Sequence, residues 1–294
     1  MKTNEQTIHI LNAELLDSDG NTRLTNATIA GGQFIETTSH ANLADGSTVI
    51  DAKGNLLIPG LHDHHTHLIA YAASLVSINC GPPNVASEAD LKSALRAQPG
   101  RHWLRGTGYH ESVSGHLDRQ WLDTWAPDRP IRIQHRSGRL WILNSLGMEI
   151  IAKSAVSMTP HEQDRLTNED GRLYDVDELL GKLTRSEMPP VKLASQQLAA
   201  FGVTGINDMT PSNNAETWQW FSELQASQDL LQKVRMSGRP ALGRCQRTPR
   251  LFVGETKVHL HDSSLPDFGD FVSTITESHE KQRNVAVHCV TEVE

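Results

Sequence analysis

From Thr7 to Ile58 the chain alternates apolar and polar residues in short runs, TIHILNAELL, ATIAGGQFIE and STVIDAKGNLLI, punctuated by Asp-Gly, Gly-Gly and Asn turn signals. A period of two puts one side of each run into a core and the other into water, the pattern of half-buried strands. Residues 1–58 are therefore expected to form the N-terminal part of a small β-sandwich or a meander. Beyond them five β-like segments recur, LHDHHTHL at 61–68, GVTGINDM at 202–209, KVRMSG at 233–238, TKVHLHD at 256–262 and NVAVHCV at 284–290. Helical patterns at 191–201, 215–233 and 268–283 separate most of the later ones. Strand and helix in alternation predict βα units on a parallel sheet, whose closed form is the (β/α)8 barrel with its chemistry at the carboxyl ends of the strands. The expected fold is α/β, a partial TIM-like barrel of five strands spanning 59–294.

Residues 71–190 are too many for one βα connection. This stretch carries Trp103, Trp121, Trp125 and Trp141 among polar segments, and it reads as a subdomain inserted after the first barrel strand, over the barrel mouth. Insertions at that end commonly shape access to a site.

Composition narrows the function. At 294 residues the chain can bury a large core. A net charge of −8 argues against general binding to nucleic acid or to anionic membranes, both of which recruit basic surfaces. The basic stretch at 235–250 is expected to be a solvated loop. Cys80, Cys245 and Cys289 are widely spaced and form no disulfide framework, as in a reducing compartment. No leader-like or membrane-length apolar run is seen, so the expectation is a cytoplasmic protein.

The densest chemistry lies in LLIPGLHDHHTHL at 56–68, where four histidines fall within six positions. Neutral imidazole is a common ligand of catalytic transition metals. On an extended strand His65 and His67 share one face, and His62 and His64 share the other. Parity alone does not choose between the two pairs.

Pro59-Gly60-x-x-Asp63-x-His65-x-His67 resembles the first-strand signature of the metal-dependent amidohydrolase superfamily, relatives of urease and dihydroorotase. The resemblance implies His65 and His67 as metal ligands with Asp63 in support. It implies His288, at the end of the fifth strand, as a further ligand, and Lys257 on the fourth as another, either carboxylated or plain. It gives no ligand role to His259 or His261. Asp208, closing the second strand, is read as a rim or capping residue. The segments RGTGYHESVSG, APDRPIRIQHRSGRLWILNS and LTNEDGRLYD resemble an insertion in the branch that contains N-substituted formamide deformylases. Within them Tyr109, His110, Glu111 and residues 135–139 are pocket candidates weighed against ordinary loop chemistry.

The resemblance further implies a divalent cation, zinc first and iron, manganese or nickel next, and a small-molecule substrate hydrolysed at a carbon–nitrogen bond other than a peptide bond. A small amide, formamide or cyclic amide is expected. The sixth-strand His and the eighth-strand Asp that the family uses have no counterpart before Glu294. The chain is therefore expected to be a truncated piece of a longer enzyme, or one completed by a second chain in an oligomer. The alternatives are an inactive metal-binding fragment and a deaminase of the same superfamily.

Overall fold

The structure is a computed structural model that describes residues 7–38, 47–98, 100–155, 158–184, 188–260 and 265–294. It divides into two compact units, Met1–Leu61 and His62–Glu294.

The first unit holds β1 (Ile8–Leu16), β2 (Thr22–Ala30), β3 (Gln33–Thr38), β4 (Thr48–Asp51) and β5 (Leu56–Leu57). They form one five-stranded sheet in the order β3-β2-β1-β4, with β5 also pairing β1. The β1–β2 and β2–β3 pairs are antiparallel, whereas β4 and β5 run parallel to β1. Gly31 and Gly32, at φ of 58° and 75°, make the β2–β3 turn, a conformation glycine adopts without steric cost. The described residues of this unit supply a single mixed sheet, not the two layers of a sandwich.

The second unit opens with β6 (Leu61–Thr66) and α1 (Leu68–Leu75), and then enters the long insertion. The insertion comprises β7 (Ile78–Asn79), α2 (Glu88–Arg96), β8 (Leu104–Tyr109), α3 (Glu111–Ser114), α4 (Arg119–Trp125), β9 (Ile131–His135), β10 (Leu140–Leu143), α5 (Ser145–Ser154), α6 (Pro160–Arg165), β11 (Arg172–Tyr174) and α7 (Asp177–Leu183). After it come α8 (Val191–Ala200), β12 (Val203–Asp208), α9 (Ala215–Ala226), β13 (Lys233–Gly238), β14 (Leu251–His259), α10 (Phe268–Glu280) and β15 (Val285–His288).

Five strands make the curled, half-barrel sheet in the order β15-β14-β13-β12-β6. The β12–β13, β13–β14 and β14–β15 pairs are parallel. Its core packs Ile206, Val234, Met236 and Leu251 of the sheet against Leu68, Leu198, Trp218 and Phe221 of α1, α8 and α9. α9 stops at Ala226, short of the helical pattern that ran to 233. Gln228 there takes a left-handed φ of 63°, and Leu230 turns back into the core fully buried.

The insertion builds a second five-stranded sheet in the order β11-β10-β9-β8-β7. One face buries Leu104, Ile131, Ile133, Leu140 and Ile142 against Leu91, Leu95 and Leu122 of α2 and α4. Trp141 and Leu143 join a separate cluster with Ile151, Leu179 and Leu180. Among the described residues no helix is long and apolar enough to cross a membrane.

Candidate active site

β6 is pinned by its neighbour. His62 lies against Gly205 of β12, where a Cβ would stand 2.4 Å from His62 Nδ1, and its Nε2 shares a 3.0 Å hydrogen bond with Asn207 Oδ1. His62 and His64 pair with ring centroids 4.7 Å apart. On the other parity, His65 and His67 meet edge to face at 5.5 Å. Asp63 Oδ1 accepts the backbone N–H of His65 at 2.9 Å, which fixes the strand where the pair begins.

The turn from β6 into α1 depends on Asp208. α1 has no side-chain cap of its own; its preceding residue, His67, makes no capping hydrogen bond. Asp208, fully buried, reaches across from the end of β12, and its Oδ2 accepts the Leu68 N–H at 2.9 Å. Its Oδ1 accepts from Thr210 N at 3.0 Å and Asn213 Nδ2 at 2.9 Å. A carboxylate thus satisfies an orphan helix N–H and opposes the positive end of the helix dipole. Thr210 from the same turn also holds His67, its Oγ1 lying 3.1 Å from Nδ1.

At the opposite edge of the sheet, register places His259 of β14 beside His288 of β15, and Lys257 beside Ala286. His259 and His288 meet edge to face with centroids 4.5 Å apart. Lys257 is buried, 8% exposed, and burial lowers its ammonium pKa, with Glu255 pulling the other way. The curl brings this edge towards β6. Burial lowers the pKa of His67, Asp208 raises it again, and His65, Lys257 and His288 each lower it further. His67 keeps an exposed surface all the same. His67, His259 and His288 line one cavity of about 2000 Å³.

Among the described residues no three His, Cys, Asp or Glu side chains stand already assembled as a metal-binding group. His261 lies outside the described residues. Sequence reasoning did not single out Thr210, Asn213 or the His259–His288 contact; the second His-x-His in TKVHLHD was the available signal for the last. Of the insertion candidates, His135 Nε2 and Glu111 Oε2 share a 3.0 Å hydrogen bond, His110 stacks on His135 at 6.1 Å, and the Tyr109 hydroxyl donates to the Gly115 carbonyl at 2.8 Å.

Comparison with known proteins adds the context. The chain is 25% identical over 170 residues to N-substituted formamide deformylase of Arthrobacter pascens, covering 54% of this chain and 31% of that protein. It is also 25% identical over 142 residues to Protein LONG AFTER FAR-RED 3 of Arabidopsis thaliana, covering 45% and 24%. The chain thus matches under a third of the length of either curated relative. In fold it resembles an uncharacterized metal-dependent hydrolase of Pyrococcus horikoshii OT3, with a TM-score of 0.71 at 17% identity over 97% of this chain and 65% of that one. A counterpart from Pyrococcus furiosus gives 0.66 at 17% identity, over 97% and 67%. The model of the amidohydrolase family matches residues 48–292, and the chain belongs to that family.

Proposed function

We propose that this chain is a metal-dependent hydrolase of carbon–nitrogen bonds other than peptide bonds, acting on a small amide, formamide or cyclic amide. The observation that carries this is the meeting of the two sheet edges: His65 and His67 from β6, and Lys257 and His288 from β14 and β15, share one electrostatic neighbourhood around His67. Membership of the amidohydrolase family and the fold shared with metal-dependent hydrolases support it.

The donor set suits a divalent ion in its chemistry. Imidazole side chains are common ligands of divalent ions, and burial lowers the Lys257 ammonium pKa from its ordinary value. His65, His67 and His288 would hold the ion, with Lys257 as a fourth contributor, and zinc is the first choice for so imidazole-rich a set. When bound, such an ion lowers the pKa of water and polarises a substrate carbonyl. The protein's own residues set the stage: Thr210 engages Nδ1 of His67 and so leaves Nε2 for the ligand, the usual second contact of a ligating histidine. Asp208 holds the strand end from which both histidines project.

Elemental analysis tests the reading. The purified chain is expected to hold about one equivalent of zinc or a similar ion, and the joint replacement His65→Ala and His67→Ala is expected to remove it. Metal content unchanged in the double variant refutes the ligand assignment. Metal bound without hydrolysis of any amide, formamide or cyclic amide supports a metal-binding fragment, and ammonia released from an aminated ring supports a deaminase.

A further inference from the structure

A second group of reactive side chains, which the metal site does not use, borders the same cavity from the insertion. β8 and β9 run parallel, and register sets Tyr109 beside His135 at their carboxyl ends. Just beyond β9 the chain turns through Ser137 and Gly138, and both residues line the cavity that holds His67, His259 and His288. Ser137 is exposed, and a Cβ added at Gly138 would meet nothing within 4 Å, so the approach to the serine hydroxyl is open.

Three side chains here are joined in series. Ser137 Oγ lies 2.8 Å from His135 Nδ1, and His135 Nε2 lies 3.0 Å from Glu111 Oε2. The Ser137 backbone N–H also donates to Nδ1, at 3.1 Å. A backbone N–H can only donate, so Nδ1 is the nitrogen without a hydrogen, Nε2 donates to the carboxylate, and the serine hydroxyl donates to Nδ1. The Arg139 N–H donates to Ser137 Oγ from 3.4 Å, which favours negative charge on that oxygen. Burial raises the Glu111 carboxyl pKa, but its own backbone N–H and His135 outweigh burial and leave it below the ordinary value, an ionised partner for an imidazolium. The neighbouring turn supplies a contrast. Ser112 meets His110 Nδ1 in the same way, Oγ at 2.8 Å and N at 3.2 Å, but among the described residues no carboxylate is hydrogen-bonded to His110, on which Glu111 acts through space alone.

We propose that Ser137 is a nucleophile, with His135 as its general base and Glu111 orienting that base, and that the chain thereby hydrolyses small carboxylic esters in a reaction separate from the metal site. Hydroxyl, imidazole and carboxylate linked in this order are the working parts of serine hydrolases, which are recognised by geometry and roles and not by position in a sequence. Ser137 Oγ attacks the ester carbonyl carbon, and its proton passes to His135 Nδ1. Protonated Nδ1 no longer accepts the Ser137 N–H, which is released to serve the oxyanion, the part that the nucleophile's own amide plays in such enzymes. As the bond to the leaving oxygen breaks, Nδ1 returns the proton to the alkoxide, and the acyl group remains as an ester on Ser137. Water then gives a proton to Nδ1 and attacks that ester; Oγ takes the proton back as the free acid leaves.

The test is mass spectrometry of the full chain treated with diisopropyl fluorophosphate, where an O–P bond to serine replaces P–F and fluoride and a proton leave, together with release of 4-nitrophenolate from 4-nitrophenyl acetate. Both are run in EDTA, so that the outcome is independent of the metal reading. About one adduct per chain is expected, on Ser137 and not on Ser112. Ser137→Ala is expected to abolish it, His135→Gln to slow its formation about 100-fold, the lower end of a general base's contribution, and Glu111→Gln to slow it at least about ten-fold. The wild-type rate should rise through the imidazole range near pH ~6.5 and lose that inflection in His135→Gln, a change that loosened packing alone does not produce. Absence of an adduct overturns the proposal, as does an adduct that survives Ser137→Ala or forms as fast in His135→Gln. Labelling of Ser137 without sustained release of 4-nitrophenolate overturns the esterase activity. Should His135→Gln not fold, the wild-type pH profile and Glu111→Gln decide.

Discussion

Replacing Asp208 by Asn removes one negative charge and keeps the shape of the side chain. The carboxylate serves three donors, Leu68 N through one oxygen and Thr210 N and Asn213 Nδ2 through the other. An amide has one acceptor oxygen, so its NH2 must confront at least one of these donors. The least damaging rotamer turns the NH2 towards Leu68, leaving a buried donor unsatisfied at about 1–3 kcal/mol and removing the anion from the α1 N-terminus at roughly 0.3–1 kcal/mol. The sum is about 1–4 kcal/mol. For a unit of this size that lowers the melting temperature by roughly 3–15 °C, and Asp208→Ala, which abandons all three donors, lowers it further. Thermal melting followed by circular dichroism at a fixed pH is the assay. A shift of about 1 °C or less for both variants would show that the carboxylate does not hold the two strand ends together.

Other consequences can be measured separately. A Cβ on Gly81 would stand 1.8 Å from the Gly108 carbonyl oxygen, so Gly81→Ala is expected to cost about 3 kcal/mol, and an unchanged melting temperature contradicts that contact. Burial alone would raise the Glu255 pKa, but the Arg235 fork and the Ser237 hydroxyl hold it at about 2. A depressed carboxylate pKa stabilises the fold fully above the ordinary value of 4.5 and progressively less as pH falls towards about 2. The gap in urea midpoint between wild type and Arg235→Gln should therefore be widest near neutrality and close in acid; a pH-independent gap counts against the pair. In the metal-free chain the His67 imidazole should titrate below 6.5, chiefly through burial, so its contribution to stability is present above 6.5 and is lost as pH falls. Lys257→Met should move that NMR titration upward, and no movement would place Lys257 too far from His67 to share a site.

The half-barrel was readable because its strands carry their own signals. The segment 233–238 is β13 residue for residue, and 61–66, 203–208 and 285–288 fall inside the expected segments. β14 was read too short at its start, since it begins at Leu251 and ends at His259. The insertion was legible as a subdomain but not strand by strand, because its strands mix faces unfamiliar to simple patterning. β8, LRGTGY, is interrupted by two glycines, and β9, IRIQH, places Arg132 and Gln134 opposite an apolar face that only α2 and α4 reveal. The two histidine pairs of β6 have equal parity credentials. What separates them in space is a residue far along the chain, Gly205, whose missing side chain gives His62 its place. Asp208 in turn was legible as a strand-end cap, but its particular partner, the first N–H of α1, is a tertiary fact.

The order of strands in the two sheets has a consequence for synthesis. The inserted sheet lists its strands in the sequence in which they leave the ribosome, so each finds its partner soon after it emerges. β6 has no such luck: among the described residues its sheet neighbour is β12 alone, about 140 residues later, a wait of roughly 7–30 s at ordinary translation rates. Nascent chains stalled before Val203 should therefore protect the insertion from protease while leaving the histidine strand open to cleavage. The segment richest in chemistry thus waits longest for its sheet neighbour, and its imidazoles stay exposed to stray metal ions and to chaperones during that wait.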